Sequence, residues 1–208
     1  MVSGLFVSFE GIDRAGKTTQ AGLLADALGD LAVRVREPGG TPVGERIRAL
    51  LKDPSSDLGD RAEALLFATA RAEVVDRVIA PALADGRVVV CDRFLDSSLA
   101  YQGAGRGLGV EAVGAVGRFA TAGLEPDLTF LLALPPNAAA GRSGVSDRFE
   151  DEGVALQRRV LEAYERLAAA EPARWRRVDA ERTAEVVHAE VMSIVEEAIA
   201  SASAKAPA

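Results

Sequence analysis

Two glycines, a lysine and a threonine near the N-terminus have the types and spacing of a phosphate-binding loop. Residues 11–18 read GIDRAGKT and match the pattern G-x-x-x-x-G-K-[ST] at every fixed position. An apolar segment, 5–9, precedes the loop and a helical pattern begins near Lys17, the strand, loop and helix order that such a loop requires. Its backbone N–H groups and the helix dipole would bind triphosphate oxygens. Lys17 would reach the β- and γ-phosphates, and the Thr18 hydroxyl would bind Mg²⁺.

An acidic residue that could organise the metal ion follows a second apolar segment. Asp92 comes directly after residues 88–91, whereas the competing segment 128–134 ends in Leu-Pro with no acid. Asp92 is therefore the better candidate for a metal site. Its alternative is a structural role as a helix cap.

Two arginines could bind the phosphate of a second substrate. Arg36 and Arg93 each follow a predicted strand, and the carboxyl ends of parallel strands meet at the edge of the sheet where ligands bind. Their forked guanidinium groups suit a phosphate. The alternative is that each arginine pairs with a neighbouring acid, Glu37 or Asp92.

The elements that must position these residues alternate along the chain. The predicted strands are 5–9, 32–35, 88–91, 128–134 and 175–178, and the predicted helices are 17–28, 61–84, 110–122, 154–170 and 183–200. This order predicts an α/β fold, a five-stranded parallel sheet with helices on both faces, in one domain over 1–200. The polar segment 141–153 is predicted to be a lid, with a solvated linker as the alternative. The tail 201–208 is expected to be disordered.

Composition excludes several classes of protein. The net charge of −7 argues against a nucleic-acid or acidic-membrane partner, which requires a broad cationic surface. The lone cysteine, Cys91, excludes an intramolecular disulfide and a multi-cysteine zinc site. No apolar run approaches the roughly 20 residues of a membrane helix. These features predict a soluble, cytoplasmic protein.

Among proteins with this loop, a transfer enzyme is favoured. The N-K-x-D element that reads guanine in GTPase switches is missing, because Asn137 is the single asparagine and alanines follow it. The length leaves no second domain for a motor. The remaining alternatives are a nucleotide kinase and, less favoured, a P-loop regulatory ATPase switch.

Five motifs in order resemble thymidylate kinases. They are FEGIDRAGKTT at 9–19, REPGGT at 36–41, DR at 92–93, SSLAYQG at 97–103 and PDLT at 126–129. The resemblance runs from about residue 5 to 200, and only the phosphate-binding loop would be specific by itself. It implies in-line transfer of the γ-phosphoryl group of ATP to dTMP with Mg²⁺, and a homodimer. Another deoxynucleotide or nucleoside kinase of the same fold is the alternative.

The resemblance also implies residue roles. ATP would contact the loop and one lid arginine: Gly11, Ile12, Asp13, Arg14, Ala15, Gly16, Lys17, Thr18, Thr19 and Arg142. The acceptor dTMP would contact Asp13, Arg36, Phe67, Arg71, Arg93, Ser97, Tyr101 and Gln102, with Phe67 stacked on the base and Arg71 donating to it. The metal ion would lie near Thr18, Glu37 and Asp92.

The arginine that neutralises the transferring group has two possible sources. Relatives place it in the phosphate-binding loop or in the lid, and this chain has Arg14 in the former and Arg142 and Arg148 in the latter. We expect Arg14 to have the main role and Arg148 to assist it, together with Lys17 and Asp92 as the other catalytic groups.

Overall fold

The computed structural model describes residues 4–142 and 153–204 and contains a parallel sheet of five strands. The strands are β1 Leu5–Glu10, β2 Ala32–Arg36, β3 Val88–Asp92, β4 Leu128–Ala133 and β5 Trp175–Asp179. Their order across the sheet is β2-β3-β1-β4-β5. Strand β1 is therefore central, and the connections leave it toward both edges. A crevice for ligands is expected at the carboxyl end of such a strand.

Helices cover both faces of this sheet, as the sequence predicts. They are α1 Lys17–Leu28, α2 Pro42–Lys52, α3 Asp60–Val74, α4 Ala80–Ala84, α5 Leu95–Ser98, α6 Val110–Thr121, α7 Pro136–Ala140, α8 Gly153–Ala170 and α9 Ala184–Ala204. Wider π-helical turns, Val75–Ile79 and Leu99–Gly105, continue α3 and α5. In the described part of the chain, no helix is long and apolar enough to cross a membrane.

Several boundaries differ from the prediction. Helix α2 was not predicted, although Thr41 accepts a hydrogen bond from the Gly44 backbone and Pro42 starts the helix, which are recognised signals of a helix N-terminus. The predicted helix 61–84 is divided among α3, the π-helical turn Val75–Ile79 and α4, and Leu65 of α3 is 54% exposed. Helix α9 continues to Ala204, so residues 201–204 are not a disordered tail.

Strands buried on both faces give the sheet two apolar layers. Val7 and Phe9 of β1 point to one layer and Phe6 points to the other. The first layer contains α1, α8 and α9, through Leu24, Tyr164 and Val191, and the second contains Val74 of α3. Continuous apolar runs are typical of parallel strands covered on both sides. These layers hold the strand ends in fixed register.

The strand register brings the predicted site residues to one edge. Asp92 at the end of β3 lies opposite Phe9 of β1 and opposite Arg36 of β2. The phosphate-binding loop begins directly after Glu10, the last residue of β1. The loop, the acid and the two strand-end arginines therefore surround one crevice.

Candidate active site

The phosphate-binding loop has the backbone shape that its glycines allow. Gly11 has φ 142° and Gly16 has φ 98°, values that L side chains rarely adopt. A Cβ atom on Gly11 would also lie 2.7 Å from the Leu132 carbonyl oxygen. The loop turns directly into α1 at Lys17, so the N-terminus of that helix faces the loop's cavity.

The Lys17 ammonium is buried inside the loop. Its Nζ donates to the Ile12 carbonyl oxygen at 2.6 Å, and 6% of the residue is exposed. Burial, with the nearby Arg93 cation, lowers the pKa of Lys17 to about 8. A triphosphate at this position would replace lost solvation with opposite charge.

The Thr18 hydroxyl and the Asp92 carboxylate lie next to each other at the phosphate-binding loop. Thr18 Oγ1 donates to Asp92 Oδ2 at 2.5 Å. A hydroxyl and a carboxylate are the oxygen ligands that Mg²⁺ prefers, and substrate phosphates and water normally complete its octahedron. These residues therefore fit the ion. Asp92 ends β3 and Phe94 precedes α5, so the alternative role of Asp92 as a helix cap is wrong.

A cavity of about 250 Å³ joins the loop to helices α2 and α3. It is bordered by most of the predicted site residues: Asp13, Arg14, Lys17, Thr18, Arg36, Glu37, Phe67, Asp92, Arg93, Ser97, Tyr101 and Gln102. It also contains Pro38, Arg48, Lys52 and Ser98, which the sequence analysis missed. Arg48 and Lys52 are four residues apart on α2, and recognising that helix from Thr41 and Pro42 would have placed them on one face.

Arg93 crosses the cavity between the loop and α5. Its Nη1 donates to the Gly11 carbonyl at 3.2 Å and to Ser97 Oγ at 3.1 Å. Its Nη2 donates to Asp13 Oδ1 at 2.5 Å, and the guanidinium lies 5.0 Å from the centre of the Tyr101 ring. Arg93 therefore pairs with Asp13 rather than with the neighbouring Asp92. Arg93 is held in place from several sides.

Asp13 is held from both sides of its carboxylate. Gln157 of α8 donates Nε2–H to Oδ2 at 2.8 Å, and its Oε1 accepts the Asp13 backbone N–H at 3.2 Å. Burial alone would raise the pKa of Asp13, but Arg93, Lys17 and Gln157 lower it below its ordinary value. An ionised Asp13 can accept hydrogen bonds from a sugar hydroxyl. Gln157 was not identified from the sequence.

Arg36 is the more exposed of the two strand-end arginines. Its Nη2 donates to Glu45 Oε2 of α2 at 3.0 Å, and 52% of its side chain is exposed. Glu45 Oε1 accepts the backbone N–H of Gly40, so Glu45 joins Arg36 to the glycine turn. Its acid partner is thus Glu45 and not Glu37, the neighbour considered from the sequence.

Arg71 forms a buried ion pair on α3. Its Nε donates to Glu37 Oε2 at 2.7 Å, and its Nη2 donates to the Phe94 carbonyl and to Ser98 Oγ. Both charged side chains are 2% exposed or less. Burial raises the pKa of Glu37 to about 7. Phe67, one helical turn earlier, borders the main cavity, whereas Arg71 borders a second cavity between α3 and α6.

A buried carboxylate beneath Arg93 was missed in the sequence. Glu10 Oε1 accepts the Phe94 backbone N–H at 2.7 Å, and Oε2 accepts from Ser97 Oγ at 2.6 Å and Tyr164 OH at 2.8 Å. Burial and the neighbouring Asp96 raise the pKa of Glu10 to about 7. Its position between an apolar strand and the glycine loop was the available signal. Glu10 ties β1, α5 and α8 together under the site.

Arg14 of the phosphate-binding loop and Arg142 form reciprocal hydrogen bonds. Arg14 Nη1 donates to the Arg142 carbonyl at 3.1 Å, and Arg142 Nη1 donates to the Arg14 carbonyl at 3.2 Å. Arg142 Nη2 also donates to the Ala180 carbonyl at 2.5 Å. Residues 143–152, which include Arg148 and most of the predicted lid 141–153, lie outside the described residues.

Comparison with known proteins gives one consistent result. A family model described as thymidylate kinase matches residues 9–191. The thymidylate kinase of Pelotomaculum thermopropionicum is 48% identical over 208 residues, covering 95% of each chain. That of Synechococcus sp. strain JA-3-3Ab is 48% identical over 92% of this chain and 95% of its own. The crystal structure of thymidylate kinase from Ehrlichia chaffeensis superposes with a TM-score of 0.77 at 31% identity, covering 93% of this chain and 99% of that one.

Proposed function

Because the chain belongs to the thymidylate kinase family, we propose that it transfers the γ-phosphoryl group of ATP to dTMP, giving ADP and dTDP. The observation that best supports this reaction is the shared cavity. It is bordered by Lys17 and Thr18 of the phosphate-binding loop and also by Arg93 and Phe67. A donor and an acceptor phosphate can therefore meet inside one cavity.

Positioning and charge neutralisation supply the catalysis. The loop amides and Lys17 hold the donor phosphates, while Arg93 and Arg36 hold the acceptor phosphate. An acceptor phosphate oxygen is already a competent nucleophile, so it attacks the γ-phosphorus in line while the bond to the ADP oxygen breaks. No covalent enzyme intermediate is needed. Arg14, within the loop, stabilises the charge of the transferring group, and Arg148 assists it.

A magnesium ion fits beside Thr18 and Asp92. When bound there with the donor phosphates, it would neutralise part of their charge. The role in metal binding proposed for Glu37 stays a prediction. One of its carboxylate oxygens, Oε2, already accepts a hydrogen bond from Arg71. Its other oxygen, Oε1, is buried and has no hydrogen-bond partner among the described residues.

The acceptor nucleoside would lie along α3 and the turn after α5. Phe67, Ser97, Tyr101 and Gln102 border the same cavity, and a base stacked on the Phe67 ring would lie in it with them. Asp13 would accept from the sugar 3′-hydroxyl. Arg71, fixed by Glu37, is the proposed donor to the base, and ligand binding would have to bring the base within its reach.

The test is an ADP-release assay with ATP and a panel of acceptors. We expect rapid turnover with dTMP and slower turnover with dUMP, dCMP, AMP and thymidine. A Lys17→Met variant serves as the control, because it keeps a side chain of similar length without the cation. Preference for another acceptor would identify a different kinase, and slow ATP hydrolysis unaffected by every acceptor would support the regulatory switch.

We also propose a homodimer formed through the apolar face of α3 and α6. Leu65 is 54% exposed, and Phe119 is 91% exposed, three residues after the 39% exposed Val116. Leu65 and Val116 border the same largely apolar cavity between the two helices. Exposed apolar side chains grouped in this way mark interaction surfaces. Light scattering should give the mass of two chains, and Phe119→Glu should give one; an unchanged mass would place the contact elsewhere.

A further inference from the structure

The side-chain amide of Gln102 is fixed in one orientation by a carboxylate. Gln102 is 2% exposed and borders the main cavity from the π-helical turn after α5. Its Nε2 donates to Glu63 Oε1 at 3.0 Å. Ionised glutamate has no hydrogen to donate, so only the amide nitrogen of Gln102 can face Glu63. The amide oxygen is then the end of the carboxamide left to face a ligand.

Glu63 is itself held by a neighbouring cation. Arg106 donates Nε–H to Glu63 Oε1 at 3.3 Å and Nη2–H to Oε2 at 3.2 Å. The Glu63 side chain is 1% exposed and that of Arg106 is 19% exposed, so water competes little for these bonds. Since Arg106 donates to both oxygens, both remain acceptors. A rotation of the Gln102 amide would direct its oxygen at a buried carboxylate oxygen, which is repulsive.

Glu63 also lies on the helix face that faces the acceptor base. Glu63, Phe67 and Arg71 are each four residues apart on α3, and such spacing places side chains along one stripe. Phe67 borders the cavity, and Glu63 lies one turn away from it, behind Gln102. Its carboxylate therefore acts on a ligand through Gln102 and not by direct contact.

We propose that Glu63 is a positioning residue that sets the base specificity of the acceptor site. With its oxygen toward the cavity, Gln102 accepts a hydrogen bond from a ring N–H, which thymine and uracil have at N3. Cytosine has a lone pair at N3, so its edge would meet the Gln102 oxygen with repulsion. This inference rests on the proposed function, which places the acceptor base beside Gln102.

The experiment compares acceptors in a Glu63→Gln variant. The new carboxamide has one oxygen facing the donors of Arg106 and Gln102, so it no longer holds Gln102 in one orientation. We expect the ratio of kcat/KM for dTMP to that for dCMP to fall about 10- to 100-fold, the range of one misplaced buried hydrogen bond. The change should lie mainly in KM, and dUMP should follow dTMP.

A matched control isolates the contact with Gln102. Asp60, 51% exposed, also pairs with Arg106, at 3.6 Å. Asp60→Asn therefore removes the same charge from the same arginine without touching Gln102, and its acceptor ratio should stay within about threefold of the parent. A second variant, Glu63→Asp, keeps the charge beside Arg106 but withdraws the acceptor from Gln102. If Glu63→Gln does not fold, Glu63→Asp tests the proposal instead, because the ratio of kcat/KM for dTMP to that for dCMP should also fall in this variant.

The outcomes separate this inference from the proposed function. If the parent protein does not phosphorylate dTMP, the proposed function fails. If the parent prefers dTMP and the ratio is unchanged in folded Glu63 variants, the positioning role alone is overturned. Equal losses for dTMP, dUMP and dCMP, with a lower Tm, would likewise overturn it, because they show a purely structural residue.

Discussion

Replacing Arg93 by lysine should weaken the use of dTMP far more than the retained charge suggests. The guanidinium donates in three directions, to the Gly11 carbonyl, Ser97 Oγ and Asp13 Oδ1. A lysine ammonium is a single point charge and cannot span these groups while also binding a phosphate. The variant would therefore pair with Asp13 or with the acceptor phosphate, but not with both in the original geometry.

The magnitude follows from the bond that is lost. A hydrogen bond to a charged group contributes about 1.5–3 kcal/mol, and Arg93 is 18% exposed, so solvent replaces little of it. The loss corresponds to a fall of about 10- to 150-fold in kcat/KM for dTMP. Arg36→Lys is the matched control, since Arg36 is 52% exposed and its ion pair is screened by water. A loss of at most about fivefold is expected there.

Steady-state kinetics with an ADP-release assay measures both effects. One series varies dTMP at saturating ATP, and the other varies ATP at saturating dTMP. The KM for ATP should change less than about threefold in Arg93→Lys, because the loop amides and Lys17 are retained. Thermal unfolding shows whether each variant is folded. A folded Arg93→Lys enzyme with kcat/KM for dTMP within threefold of the parent would refute the role of Arg93. A fall in kcat/KM for dTMP that is larger in Arg36→Lys than in Arg93→Lys would refute it as well.

Three further predictions concern the phosphate-binding loop. Because burial and Arg93 lower the pKa of Lys17 to about 8 and ATP binds its charged form, calorimetry should show ATP affinity that falls only about twofold from pH 7 to 8 and about tenfold per pH unit well above 8. Lys17→Arg should remove that dependence, and a slope that persists would contradict it. Arg14→Ala should lower kcat about 10- to 1000-fold, and turnover within threefold of the parent would exclude its main role. Gly11→Ala, whose Cβ would lie 2.7 Å from the Leu132 carbonyl, should destabilise the fold by about 1–3 kcal/mol, and an unchanged Tm would show that the loop can adapt.

The sheet was predicted almost completely because each strand is a short apolar run. Four of the five strands extend one residue past the prediction, and those residues are charged: Glu10, Arg36, Asp92 and Asp179. The apolar pattern ends where the polar crevice begins, whereas backbone pairing continues by one residue. The hydrophobic pattern therefore missed the last residue of these four strands. Glu10, Arg36 and Asp92 lie at the candidate active site, and Asp179 ends β5.

Helix α2 and the partners of the site residues were harder to predict. The capping signal at Thr41 and Pro42 is local and could have been used. By contrast, nothing near Arg36 or Arg93 in the chain indicated Glu45 or Asp13 as their partners. The neighbouring acids were nearer in sequence, but consecutive residues on a strand point to opposite faces.

The sequence by itself determined the phosphate-binding loop, its lysine and threonine, and the α/β order, because these depend on residues within a few positions of one another. Only the tertiary structure decided which polar and charged groups meet. Arg71 pairs with Glu37 across 34 positions, Gln102 with Glu63 across 39, and Arg93 with Asp13 across 80. Local backbone geometry follows from nearby residues, whereas these contacts exist because the order β2-β3-β1-β4-β5 places distant strand ends and helices around one crevice.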